Sequence, residues 1–168
     1  MMNRLLLIAT IASMFWSCQK EAGVGGTSTI IGKIKTYELS HFDVPGSNQR
    51  VDTLRSYLHA DEEVYIIYGE EDNFYDDSYE TSFDGSFRFD NLRKGTYTLF
   101  IYSDCESDTS GLAAISQSNP IYAQQLASTI WKSDCIDGEF AVTMKVEITE
   151  NNKQLDIGEI SRFKIESN

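Results

Sequence analysis

TSFDGSFRFDNLRKGTYTLFIYS, residues 81–103, is the stretch that decides the fold. It reads as strand, two-residue turn, short strand, tight loop, long strand. Asp84-Gly85 is a strong hairpin signal, because a type I′ turn needs φ > 0 at both central residues and Asp-Gly supplies them cheaply. Phe87 and Phe89 share one face by the period-2 alternation of a strand. Leu92 stands alone in a polar loop and is expected to plug the edge of the core. Gly95 resets the backbone, and Tyr97, Leu99 and Ile101 continue the buried face. The stretch states an all-β fold and names no reaction.

The spacing Thr81-x-x-Asp84-Gly85-x-Phe87-x-Phe89-x-x-Leu92-x-x-Gly95-x-Tyr97-x-Leu99 resembles the signature of carboxypeptidase-regulatory-like domains. The likeness is specific over residues 81–101 and looser over about residues 29–103. It implies a seven-stranded, prealbumin-like (transthyretin-like) β-sandwich. It also implies a non-catalytic accessory or binding module, although a shared fold does not by itself supply a function.

The 168 residues suffice for one domain plus appendages, and no internal repeat or second domain is visible. Fourteen basic against 26 acidic residues leave a formal charge of −12. Nucleic-acid binding needs a basic footprint, so that class is excluded. Adhesion of the whole surface to anionic lipid is equally disfavoured. The charge suits a solvated acidic surface, or a basic partner.

The amino terminus opens with Met1 to Asn3 and a positive Arg4, then a predominantly apolar run of twelve residues, Leu5 to Trp16. A membrane span needs about 20 residues, so this run reads as a secretory leader. Phe-Trp-Ser-Cys, residues 15–18, resembles a bacterial lipobox, with Phe15 and Trp16 bulkier than its usual residues. The resemblance implies cleavage before Cys18 and acylation of that cysteine. Residues 1–17 are then a lipoprotein signal peptide, 18–28 a flexible Gly-rich tether and 29–168 the β-sandwich domain. A single acyl chain binds marginally, whereas two or three anchor firmly. Gln19-Lys20-Glu21 resembles a short signal that exports some lipoproteins to the outer face of the outer membrane. A polar spacer reads equally well. The expected address is the outer membrane, on its periplasmic or cell-surface side, with membrane lipid as one partner through acylated Cys18.

Along the folded part, Thr29 to Tyr37 forms a first strand, with Ile30, Gly32 and Ile34 on one face. Lys33 and Lys35 lie on the other, which fits an edge or a solvated side. Val51 to Leu58 reads as a further strand or an ordered loop. Asp52-Thr53-Leu54 resembles a short O-glycosylation sequon, a pattern common by chance. Val64 to Tyr68 is apolar on both faces, as for a strand covered twice or one with a functional aromatic face. Glu106 to Cys135 is a long inserted connection, with a short helix expected over Ala123 to Trp131. Phe140 to Ile148 alternates as a half-exposed strand. Leu155 to Ile165 is the last strand, with a bulge expected at Gly158.

No catalytic set converges. His41 and His59 carry no surrounding motif and read as surface residues. Minimum parts of a zinc site or a triad hydrolase are missing, and there is no phosphate loop. The acidic run Glu70, Glu71, Asp72, Asp76, Asp77, Glu80 and Asp84 is the best metal candidate, but its spacing is not that of a calcium loop. It reads as a solvated loop, so no metal and no cofactor is expected. The resemblance also implies that a Lys and an Asn on neighbouring strands can form an internal isopeptide bond; Lys33 and Lys35 are available donors, but no Asn lies in an apolar stretch of the last strand. If Cys18 is lipidated, Cys105 and Cys135 remain as an even pair in an oxidising compartment, and a disulfide between them is expected.

The remaining candidate is a surface. If Val64 to Tyr68 and Tyr97 to Ser103 share a sheet, Tyr65, Ile67, Phe100 and Tyr102 form one patch outside the core. Large bare apolar patches are rare in monomers. Either the Glu106 to Cys135 connection covers it with Leu112, Ile115 and Trp131, or it binds a partner. A non-enzymatic interaction module with an envelope protein partner is the leading reading. A glycan-binding lipoprotein using exposed aromatics is the alternative.

Overall fold

The structure is a computed structural model that describes residues 22–43, 50–69, 74–105 and 135–167. Residues 1–17, expected as a signal peptide, Cys18, the Glu70 to Asn73 part of the acidic run and nearly all of the Glu106 to Cys135 connection lie outside them. So do Leu112, Ile115, Trp131 and the helix expected over 123–131.

The described residues are all-β and contain no helix. Eight strands follow in order, one more than the seven expected: β1 (Val24–Asp43), β2 (Arg50–Leu58), β3 (Glu63–Tyr68), β4 (Asp77–Glu80), β5 (Ser86–Leu92), β6 (Gly95–Asp104), β7 (Glu139–Ile148) and β8 (Gln154–Ser167). They form two sheets. In the first, β1 is the central strand. It pairs antiparallel with β5 through its first half and with β2 through its second, and parallel with β8 along its other edge. Lys33 and Lys35 therefore mark the solvated face of a central strand, not a sheet edge. The second sheet runs β4-β3-β6-β7, antiparallel throughout.

The sheets pack face to face in a sandwich-like arrangement. Ile30, Ile34, Phe87, Phe89, Leu92 and Ile160 come from one side, and Val64, Ile66, Tyr97, Leu99, Ile101, Val146 and Ile148 from the other. Phe87, Phe89, Tyr97, Leu99 and Ile101 are buried as the alternation requires, and Leu92 closes β5 inside the core. The Gly158 bulge is present. Ile31 faces Asp156 and Lys33 faces Glu159, so β8 carries one extra residue there, and Gly158 adopts a φ of 74°.

The Asp84-Gly85 hairpin is corrected. The strand before the turn, β4, belongs to the second sheet and the strand after it, β5, to the first. The turn is therefore a corner between sheets. It is a three-residue loop in which Gly85 N–H donates to Ser82 O (2.8 Å) and Ser82 N–H to Ser86 O (2.9 Å). Only Gly85 has positive φ, 72°, so a type I′ turn is ruled out. Asp84 has an ordinary backbone, and its carboxylate braces the corner. It accepts from Ser86 Oγ (2.6 Å), Ser86 N (3.2 Å) and Lys33 Nζ (3.0 Å). Gly85 is required by close approach as well as by φ. A Cβ there would lie 2.9 Å from Ile34 O, to which this corner is already tied by the Ile34 N–H to Gly85 O bond.

Those donors hold the Asp84 carboxyl well below its ordinary 3.8, at about 2, with Ser86 the first cause and Lys33 the second. A depressed carboxyl favours the folded state above pH 3.8, and that preference disappears as pH falls through about 2. A carboxyl-detected NMR titration should give Asp84 a midpoint near 2. Ser86→Ala should raise it more than Lys33→Ala does, and a midpoint near 3.8 in the native protein would contradict the bonding.

The start of the domain also differs from expectation. Val24 and Ser28, in the stretch expected as tether, both register with Leu92 as β1 begins, and Ser28 is buried. The buried Tyr97 hydroxyl accepts from Gly23 N (3.1 Å) and donates to Arg93 O (2.7 Å), which docks the chain at Gly23. At the far end of β6, the Sγ atoms of Cys105 and Cys135 lie at disulfide bonding distance, with Cα atoms 5.9 Å apart.

Candidate functional site

Four sequence-selected residues, Tyr65, Ile67, Phe100 and Tyr102, do share the outer face of the second sheet. Tyr65 and Phe100 are direct cross-strand partners between β3 and β6, and Ile67 faces Thr98. Opposed residues point to the same face, so the register lays out rows across the sheet. One row is Ser78, Tyr65, Phe100, Thr143; the next brings Tyr102 beside Ala141.

The rings contact one another. Tyr65 and Phe100 stack with centroids 4.9 Å apart and planes 15° from parallel. Tyr102 meets both edge-on, 5.8 Å from each. Ile67 joins no ring stack and flanks it. Tyr75, which sequence reasoning left in an acidic loop, completes the group 4.7 Å from Tyr65. Its signal was only the tyrosine richness of residues 65–80. The rings bury one another in part, while Tyr102 is 47% exposed and Tyr75 54%. The patch is contiguous and open at these two rings.

Its rim is polar. Tyr65 OH donates to Glu63 Oε2 (2.7 Å), and Ser78 Oγ donates to the other Glu63 oxygen (3.0 Å). The Glu63 bond, then burial, then the carboxylate's charge push the Tyr65 hydroxyl up to about 12. It is thus a neutral donor at any physiological pH.

The other candidates resolve into local roles. Asp76 accepts from Tyr68 N (2.6 Å), Asp77 from Ser78 N (2.9 Å), and Asp84 makes the corner. Among the described residues, no group of three or more His, Cys, Asp or Glu side chains is placed to hold a metal ion. His59 is partly buried, with Nδ1 3.0 Å from Thr36 Oγ1 and 3.3 Å from Glu62 Oε1. His41 lies on β1, and its side chain is outside the described set. No protein-family model matches the chain, and no curated protein is significantly similar to it.

Proposed function

We propose that this chain is a non-catalytic accessory or interaction module of the cell envelope, lipid-anchored at Cys18 in the outer membrane, with the Tyr65–Phe100–Tyr102 face as its contact surface. The single observation that carries the reading is the ring stack on one sheet face, open to solvent at Tyr102 and Tyr75. Amphipathic rings of this kind supply contact area and a hydrogen-bonding tip together, which suits a protein partner. The prealbumin-like core is supported by the strand arrangement: β2 only prolongs the pairing of β1, and without it seven strands remain in sheets of three and four. A glycan ligand is the second reading, favoured by the mixture of exposed rings with Glu63, Ser78 and Thr143 at the rim.

Pull-down from the native envelope, set beside a glycan array, separates the two. Tyr102→Ala should weaken the bound species by about tenfold, the scale of a modest interface anchor. It should leave the melting temperature nearly unchanged, since the ring is half exposed. A large loss of stability, or unaltered binding, would reject the face as the site. Mass spectrometry of the membrane fraction tests the anchor separately: the mature amino terminus should be an acylated Cys18, and Cys18→Ala should release the protein.

A further inference from the structure

We infer a second, unrelated site: a cationic cleft at the chain-entry end of the sandwich that binds a phosphate group. The cleft has a volume of about 370 Å³ and is lined by Gly25, Gly26, Thr27, Arg93, Lys94 and Asn151. Lys33, Lys35, Arg88 and Arg162 each lie on an acid. Among the described residues, Arg93 and Lys94 have no ion-pair partner. Arg93 Nε is sealed from solvent and has no hydrogen-bond acceptor. Because Nε is sealed, the terminal nitrogens are the part of the guanidinium that a ligand in the cleft meets.

The backbone is arranged around this guanidinium. Val24 and Ser28 both register with Leu92, so Gly25, Gly26 and Thr27 bulge out of the ladder and their peptide groups stay outside strand pairing. A Cβ on Gly25 would come 2.9 Å from Arg93 Nη2, and one on Gly26 would collide with the Leu92 carbonyl. The glycines thus keep main chain close to the cation and leave the space above it open. A planar guanidinium and an ammonium, with the Asn151 amide and the Thr27 hydroxyl beside them, make a cationic lining with no carboxylate in it. Two adjacent cations with polar side chains around them suit an oxyanion of more than one charge, such as a phosphate group.

The phosphate could be free in solution or part of a lipid headgroup. The headgroup source alone leans on the anchor proposed above: Gly25 is seven residue steps from Cys18, a reach of at most about 25 Å.

Amide NMR on the full chain, purified in neutral detergent, tests the site. The probes are inorganic phosphate and glycerophosphoglycerol, the deacylated headgroup of phosphatidylglycerol, each against sodium chloride of equal ionic strength. The Gly25, Gly26 and Lys94 signals should shift saturably with at least one probe. Saturation by phosphate alone identifies a soluble source, and by the diester alone a lipid headgroup. Arg93→Gln and Lys94→Gln should each weaken binding by about tenfold, as loss of a charged donor implies, while Lys145→Gln on the far sheet should not. Lys94 is exposed, so its variant keeps the test valid if Arg93→Gln unfolds the protein. No saturable shift with either probe, or affinity untouched by Lys94→Gln and Arg93→Gln, overturns the proposal. An unacylated Cys18 would remove only the headgroup source.

Discussion

Replacing Cys105 and Cys135 together with alanine should lower the unfolding free energy by about 3.5 kcal/mol, the loop-entropy value for a closed loop of about 30 residues. The two cysteines are 30 apart in sequence, at the exit of β6 and just ahead of β7. Cys105 N–H also donates to Gly138 O (2.8 Å), and Ile136 bridges Glu139 across the same turn. The covalent link therefore closes a long segment onto a neighbouring strand pair that is already hydrogen-bonded. Without it, the unfolded chain regains the freedom of the whole connection, while the folded chain loses little. Urea denaturation of the native protein, of the reduced protein and of the double variant gives the measurement. Reduction and substitution should cost nearly the same. If substitution alone is costly, the loss comes from the buried Cys105 side chain and the cross-link is thermodynamically idle.

What the sequence could and could not reveal follows from range. Alternation is a local property, so the buried faces of β5, β6 and β7, and the bulge in β8, were legible residue by residue. The aromatic face was legible too, because it needs only two alternating strands in one sheet. Strand assignment to sheets is not local. Asp84-Gly85 carries the same turn chemistry whether it joins paired neighbours or turns a corner between layers, and here it turns the corner. Thr81 heads the recognisable pattern, yet its reason is visible only in three dimensions. Its buried hydroxyl accepts from Glu62 N (2.9 Å) and donates to His59 O (2.7 Å), pinning the entry to β3. Tyr75 was missed because a loop residue reaches the ring stack by tertiary placement alone. The phosphate cleft was hidden for the same reason: Gly25 and Arg93 are far apart in sequence, and nothing in either neighbourhood announces the other.

Glu62→Ala should be the second large loss, about 3 kcal/mol, because it strands a cation between the sheets. Arg162 projects from β8 of the first sheet and pairs with Glu62, which immediately precedes β3 of the second. Asp104, at the end of β6, lies 3.7 Å from the other side of the same guanidinium. Both members of the main pair are largely withdrawn from solvent, with side chains 12% and 18% exposed, so screening by water is weak. Arg162 Nε has no acceptor, so Glu62 is the guanidinium's principal partner, with Asp104 a weaker second. Asp104 compensates only in part, since its Oδ1 at 3.7 Å is beyond hydrogen-bond reach and its Oδ2 is held by Ile165 N–H at 2.7 Å. The favourable pair itself need not add net stability, because both ions were taken out of water to make it. That distinction is measurable. Glu62→Leu combined with Arg162→Met should recover most of what Glu62→Ala loses, when all are compared by urea denaturation at neutral pH. A single-variant loss below about 1 kcal/mol would mean that the pair behaves as a surface contact, and would remove it from the forces that hold the two sheets together.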